Sequence, residues 1–412
     1  MDRIIIKGQS NLNGRISVAK SKSSSLALMA ASVLSNEPIT LINLPRIHDI
    51  SVMKGLLESV GVVIEEQGES TTFNASNLVT NEISTDATWA SIYLLGPLLA
   101  RTGIVKIHRP GGGAVANRDV DLTLNNMENM GANVYMENAY VKATATRIVG
   151  KNIAQHFPSV AATFNTIITA MIADGRTVLE NAAKDPEIVD LVAFLNLMGG
   201  VIQGSGMDKI IVDGTSIKQL KGVEYEPIPD YIEATAFIVS GLITQSEITI
   251  DEIDPSHLLP ITKFLLKIGA KFTIGTDYIR TYRKKIFSGN LETAPYPGFP
   301  SNAQPLLLAL LTQAQGKSII TENINENRFH VVAEMRRLGA DIELEEKRAL
   351  VNNSKLTGGK VYCENSIDGM ALVLASLAVN GETTIENVEI LKRGFQDVID
   401  KFQDLGADIR IV

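Results

Sequence analysis

The residues with the most chemical potential lie in the stretch 108–121, HRPGGGAVANRDVD. Three consecutive glycines, Gly111, Gly112 and Gly113, follow Arg109 and Pro110 and precede Arg118. Glycine enters φ > 0 freely and lets a backbone approach a ligand closely. An arginine beside such a loop can grip a phosphate or carboxylate with paired donors. A glycine run alone suits a solvated surface loop equally well. Two further arginines, Arg328 in INENRF and Arg393 in ILKRGF, occupy loops at matching places further along the chain. Arg118, Arg328 and Arg393 thus point to one common anion site. The formal net charge is −8, so such a site must be a local cluster of cations. That balance also disfavours non-specific binding to nucleic acid.

Other chemistries have little support. Cys363 is the single cysteine, which excludes a disulfide framework and a cysteine metal site. The five histidines are scattered without ligand spacing, and no cofactor is implied. No apolar run reaches the length of a membrane span, and residues 1–20 lack a signal-peptide core, so a cytoplasmic protein with no membrane partner is expected. Hydrophobic residues make up 45% and charged residues 20%, ordinary for a soluble globular chain. Aromatics are only 5%, so the core must be mostly aliphatic.

The elements that must position these loops recur. Six segments share the pattern apolar–Gly–x–x–apolar, with glycines at Gly61, Gly131, Gly199, Gly269, Gly339 and Gly406, spaced 67–70 residues apart. Stretches such as SVMKGLLESVG and FQDVIDKFQDLG carry apolar residues at helical spacing up to the glycine, which reads as the residue closing the helix. A strand follows, such as ADIELEE. Ahead of each helix lies a strand (ITLINL, IVKIHR, TVLENA, EITIDE, SIITEN, TTIENV), and ahead of that an apolar helix such as SSLALMAASVLS. The unit reads helix–strand–loop–helix–strand, with further short strands between units. Six copies of about 70 residues predict an α/β (α+β) chain of two domains with three copies each.

The opening KGQSNLNGRISVAKSKSSSLALMAASVL, with LLGPLLAR, RPGGGAVANRDVDL, LENAAKDPEIVDLVAFLNLMGG, TAPYPGFPSNAQ, ENRF and KRGF, resembles the enolpyruvyl transferases over essentially the whole chain. The likeness is greater to the branch acting on UDP-N-acetylglucosamine than to the branch acting on shikimate phosphate. It implies two inside-out α/β barrels with the ligand cleft between them. Residues 21–229 would form the lobe carrying the glycine loop, and residues 1–20 plus 230–412 the other lobe. It implies transfer of the enolpyruvyl group of phosphoenolpyruvate to a hydroxyl acceptor, a UDP-sugar or related nucleotide, with release of phosphate. Lys22, Arg118, Arg328 and Arg393 fall on its phosphoenolpyruvate-gripping positions. Lys22 stands near a helix start, SKSSS, where free N–H groups also favour anions. Lys22, Glu326 and Asn302 fall at catalytic positions, Lys22 as the main acid–base group. Glu326 fits a structural hydrogen-bonding role as well as an acid–base one. The acceptor would meet Ser23, Trp89, Thr123, Ser159, Val160, Ala161 and Asn302.

The chain departs from the family pattern at the reacting centre. Gly113 stands where the UDP-sugar branch has a cysteine, and Asn302 where the family has an aspartate thought to take the hydroxyl proton. An amide cannot act as a general base. Ser23, Trp89 and Thr123 replace an asparagine, an arginine and a histidine. Asn365 and Ile367 replace an acid and an arginine, and Phe157 a lysine. Trp89 and Phe157 suit plain packing or stacking on a base. Three readings stay open: a transferase using the usual UDP-sugar, a diverged transferase with another nucleotide or sugar acceptor in secondary metabolism, and a non-catalytic anion-binding homologue.

Overall fold

The structure, a computed structural model, describes residues 3–84, 89–108, 113–137 and 139–412, without the side chains of 113–118. All six repeat glycines have φ between +84° and +107°, a region that L side chains avoid. Each closes a helix in the same way. The glycine N–H bonds back three residues and the next N–H bonds back five, as in Gly61 to Glu58 (2.9 Å) and Val62 to Leu57 (3.0 Å). This double bond pattern satisfies the last helical carbonyls and turns the chain into a strand. The helices so closed are His48–Ser59, Gly113–Asn129, Pro186–Leu197, Leu259–Lys267, Val331–Arg337 and Val398–Asp404.

Among the described residues the strands form six four-stranded sheets of one design. The strand of each repeat, such as Ile39–Ile42, pairs in parallel with a short edge strand, here Glu224–Tyr225. On its other side it pairs antiparallel with the second arm of a hairpin, here Ser70–Asn74 after Val63–Gln67. The strand expected after each glycine is therefore one arm of a hairpin. In the sixth sheet Arg3–Lys7 takes the place of the second arm: Ile4 lies opposite both Ile385 and Ile411. Asn13–Ser17 supplies the parallel edge strand beside Glu247–Asp251.

The apolar helices ahead of the strands form the interior. Tyr231–Ile243, Gln304–Leu311 and Ser366–Ala378 pack on one another and are buried almost throughout. The sheets bury alternate residues, as in Arg176–Glu180, where Thr177 and Leu179 point inward. Helices inside and sheets outside give an inside-out α/β arrangement. The chain divides into two compact units, Met1–Ala19 with Pro229–Val412 and Lys20–Ile228, each with its own aliphatic core. The chain passages between them are tied on each side. Asp230 N–H donates to the Ala19 carbonyl in one unit (2.9 Å), and Ser21 N–H to the Ile228 carbonyl in the other (2.7 Å). No described helix is long and apolar enough to cross a membrane.

Candidate functional site

Lys22 is the first residue of the helix Lys22–Ala31, whose cap is the Ser21 hydroxyl accepting from Ser24 N–H at 3.3 Å. A short polar residue at that position holds a free N–H and starts the helix. The Lys22 ammonium lies 2.6 Å from Asp49 Oδ2, in the first turn of His48–Ser59, so it is held in an ion pair. Ser23 follows, half-buried. One turn in, the Ser24 hydroxyl bonds the buried Asp190, whose carboxylate also accepts from Tyr225 Oη (2.6 Å) and Ile228 N–H (3.3 Å). Asp190 therefore fixes the start of the Lys22 helix against the passage out of that unit. Nothing in the sequence pattern singled it out.

Several residues expected to meet the acceptor in the same unit make structural contacts. Ser159 caps the helix Val160–Ala170 by accepting from Ala162 N–H at 3.2 Å, and Ala161 is buried behind it while Val160 is half-buried. The Thr123 hydroxyl, fully buried, donates to the Asp119 carbonyl at 2.7 Å within its own helix. Trp89 is half-buried and meets Tyr93 edge-on, ring centroids 5.7 Å apart, and Tyr93 meets Phe164 in turn at 4.7 Å. Gly111 and Gly112 lie outside the described residues. Gly113 opens the helix Gly113–Asn129, and the Arg118 side chain is likewise outside the described set.

In the other unit the geometry is richer. Arg328 is half-buried and donates from Nε to Ser301 Oγ (3.2 Å) and from Nη2 to Asn302 Oδ1 (2.8 Å). Burial pushes its guanidinium below the ordinary arginine range, opposed by the nearby carboxylates of Glu322 and Asp368. Glu322, 3% exposed, accepts on Oε1 from Thr293 Oγ1 (2.8 Å) and from the N–H groups of Ile324 and Asn325 (both 2.9 Å). It thereby builds the loop that carries Arg328. Asp368, 4% exposed, sits in the first turn of Ser366–Ala378 and accepts from Asn365 Nδ2 at 2.6 Å. Burial pushes its carboxyl up to about 6. The Asn365 bond and the charges of Arg328 and His330 oppose that rise, and Glu364 adds to it.

Arg393 ends the turn Val388–Arg393, which packs against the same helix. The approach is close: a Cβ on Gly394 would sit 2.9 Å from Ser366 Oγ. The Arg393 turn thus rests on the start of Ser366–Ala378, and His330, two residues after Arg328, meets Glu364 just ahead of that helix at 3.1 Å. Glu326 is exposed and makes no hydrogen bond or ion pair with the described residues. Sequence reasoning missed Glu322, Asp368 and Asp190. Only Asp368 left a signal, an acid just inside a helix start three residues after Asn365.

The donor set is cationic and neutral, with buried acids behind it, and it suits a small multiply charged anion. No group of three or more metal-ligating side chains occurs among the described residues. The family model described as EPSP synthase (3-phosphoshikimate 1-carboxyvinyltransferase) matches residues 6–402. A UDP-N-acetylglucosamine 1-carboxyvinyltransferase 1 from Carboxydothermus hydrogenoformans is 41% identical, covering 100% of this chain and 99% of its own. A UDP-N-acetylglucosamine 1-carboxyvinyltransferase from Thermotoga maritima is 37% identical, with coverage of 100% and 99%. Among solved structures, the enolpyruvyl transferase NikO from Streptomyces tendae superposes with a TM-score of 0.91 at 25% identity, covering 100% of this chain and 99% of that one. An EPSP synthase from Acinetobacter baumannii shares the fold with a TM-score of 0.78 at 16% identity, both chains covered in full.

Proposed function

The chain belongs to the EPSP synthase (3-phosphoshikimate 1-carboxyvinyltransferase) family, and from that premise we propose that it transfers the enolpyruvyl group of phosphoenolpyruvate to a hydroxyl of a UDP-sugar such as UDP-N-acetylglucosamine. The bond from C2 to the phosphate oxygen breaks, a bond from C2 to the acceptor oxygen forms, and the hydroxyl proton ends on the phosphate that leaves. The observation that carries this reading is the 41% identity, over the full length of both chains, to a relative of that name. It implies a cytoplasmic enzyme with two small-molecule substrates and no cofactor.

In this reading Lys22, Arg118, Arg328 and Arg393 grip phosphoenolpyruvate, because a dense anion needs fixed cations where charge develops. Two of the four have support in the fold: Arg328 is pre-oriented by Ser301 and Asn302, and Arg393 rests on the start of Ser366–Ala378. Lys22 moves the proton to and from C3. Glu326, exposed and uncommitted, orients it or relays a proton once substrate is bound. Ser23, Trp89, Thr123, Ser159, Val160, Ala161 and Asn302 line the acceptor side.

A second reading has its own observation. Asn302 bonds Arg328 through its amide oxygen and offers no base for the acceptor hydroxyl. That favours a changed acceptor, another nucleotide or sugar, over the standard one. Phosphate release from phosphoenolpyruvate, measured with UDP-N-acetylglucosamine and with a panel of nucleotides and nucleotide sugars, decides between the two. Failure of every acceptor in the panel to release phosphate, while phosphoenolpyruvate still binds, would leave a non-catalytic anion-binding protein.

A further inference from the structure

Leucine and lysine share the outer face of the helix Leu259–Lys267. Its inner face meets the core, where Ile261, Phe264 and Leu265 are buried. Leu259, Lys263, Leu266 and Lys267 are exposed, and their spacing sets them on one side of the helix. Leu259 is 48% and Leu266 57% exposed. The chain then returns over the end of this helix. Phe287 N–H donates to the Ile268 carbonyl at 2.8 Å, and a Cβ on Gly269 would lie 3.0 Å from the Phe287 ring, which is itself half exposed. Five residues earlier, Tyr282 N–H donates to the Lys271 carbonyl at 2.9 Å, and Lys271 Nζ lies 5.4 Å from the centre of the Tyr282 ring. Lys284 and Lys285 are exposed between these two points. The helix face and the return segment 282–287 therefore make one surface.

That surface is cationic in an acidic chain. Residues 255–291 hold seven Lys and Arg against one acid, Asp277, while the whole chain has a formal net charge of −8. Asp277 lies in the turn between the strands Phe272–Ile274 and Tyr278–Thr281, at the other end of their hairpin from Lys271 and Tyr282. Arg280 is paired with Glu247 at 3.5 Å. Lys263, Lys267, Lys271, Arg283, Lys284 and Lys285 are exposed, and none is ion-paired with a carboxylate among the described residues. Arg283 instead donates to two neutral oxygens, the Gln245 carbonyl (3.1 Å) and Asn11 Oδ1 (3.3 Å). We propose that this surface docks the protein on an anionic lipid bilayer. The cations meet the phosphate headgroups, and Leu259, Leu266 and Phe287 enter the acyl boundary beneath them. Five of the six cations are lysines, compact point charges, and not the planar forks that suit nucleic-acid recognition. Exposed leucines, moreover, find no apolar partner along a sugar–phosphate backbone. Both features favour lipid over nucleic acid. The proposal departs from the expectation of no membrane partner, which rested on the lack of a spanning segment; a surface contact needs none. It is also independent of the proposed reaction, since none of these residues belongs to the anion site.

The test is cosedimentation of the full chain with vesicles of phosphatidylcholine alone and of phosphatidylcholine with an equal share of phosphatidylglycerol, in low and high salt. The wild type should bind the anionic vesicles and stay in solution with the neutral ones, and high salt should weaken the binding. Lys284→Gln with Lys285→Gln should weaken binding about 25-fold, about fivefold for each lysine removed. Lys263→Gln with Lys267→Gln should do the same from the helix, so each pair of changes checks the other. Leu266→Ser with Phe287→Ser should weaken binding about tenfold or more with every cation in place. Thermal melting of each variant checks that it folds. No binding of the wild type to anionic vesicles in low salt overturns the inference. So does binding that folded variants of both lysine pairs retain in full, or that the Leu266 and Phe287 changes leave intact. A duplex oligonucleotide of mixed sequence that binds as tightly as the anionic vesicles would assign the surface to nucleic acid and overturn the inference as well.

Discussion

Replacing Asn302 with aspartate probes the contact that sets this chain apart from its family pattern. Arg328 Nη2 now donates to a neutral amide oxygen at 2.8 Å. A carboxylate there turns that hydrogen bond into an ion pair. Residue 302 is exposed, so the pair is screened and contributes about 0.2–1 kcal/mol. An anion bound at Arg328 must displace or share that charge, and its affinity falls by the same free energy. At about 1.4 kcal/mol per tenfold, the penalty is about 1.4-fold to about fivefold. The same carboxylate can take a proton from an acceptor hydroxyl, so kcat should stay level or rise. Initial rates of phosphate release with phosphoenolpyruvate varied, in low and high salt, separate the two effects. The KM for phosphoenolpyruvate should rise within that range and the rise should shrink in salt. A parallel calorimetric titration reads the affinity where turnover is slow. An unchanged or lowered KM, or a fall in kcat, refutes the reasoning.

Lys22→Met should abolish phosphate release, and a wild-type rate in that variant would remove the lysine from the acid–base role. Epoxides that alkylate a loop cysteine should leave residues 108–121 unmodified on intact-mass analysis, since Gly113 carries no thiol. Cys363 should also resist alkylation in the native state and react once unfolded, because it is fully buried and burial pushes its thiol up to about 12. Gly406→Ala should cost about 1–2 kcal/mol from left-handed strain alone, its nearest obstacle being 3.8 Å away. Gly61→Ala should cost more, since a Cβ there lies 2.8 Å from the Asn77 carbonyl and the Val79 nitrogen; denaturant midpoints compare the two. Burial raises the carboxyls of Asp185 and Asp368 to about 6 and of Glu233 to about 7. A raised carboxyl stabilises the fold below its unfolded value and loses that contribution as pH rises through the folded value. The melting temperature should therefore fall between about pH 4 and about pH 7. Asp368→Asn should flatten that fall by up to about 3 kcal/mol.

The repeat was legible because its signal is local. A glycine that closes a helix is chosen by the φ of one residue, and a helix face by spacing within a few turns. The hairpin partner strands were harder to see. Ser70–Asn74, STTFN, buries only Thr71 and Phe73, too short and polar a pattern to separate from a loop. The cationic residues could be read as candidates by type and position. Their surroundings could not, because Asp49, Glu322 and Asp368 lie from 6 to 40 residues from the cation each one faces. Thr123 and Ser159 illustrate the opposite difficulty. A hydroxyl aligned with a binding position was found bonded to its own helix, a local competition that sequence type does not decide.

The strand Arg3–Lys7 sits between two partners that lie at the far end of the chain, Glu382–Glu386 and Asp408–Ile411. A ribosome adding about 5–20 residues per second needs roughly 20–80 s to make the intervening residues. For that time the apolar run Ile4–Ile6 has no native mate, whereas the unit Lys20–Ile228 can complete itself as it emerges. Synthesis thus finishes the middle of the chain before its beginning. The nascent protein must keep an apolar strand unpaired until Glu382–Glu386 and Asp408–Ile411 have been made.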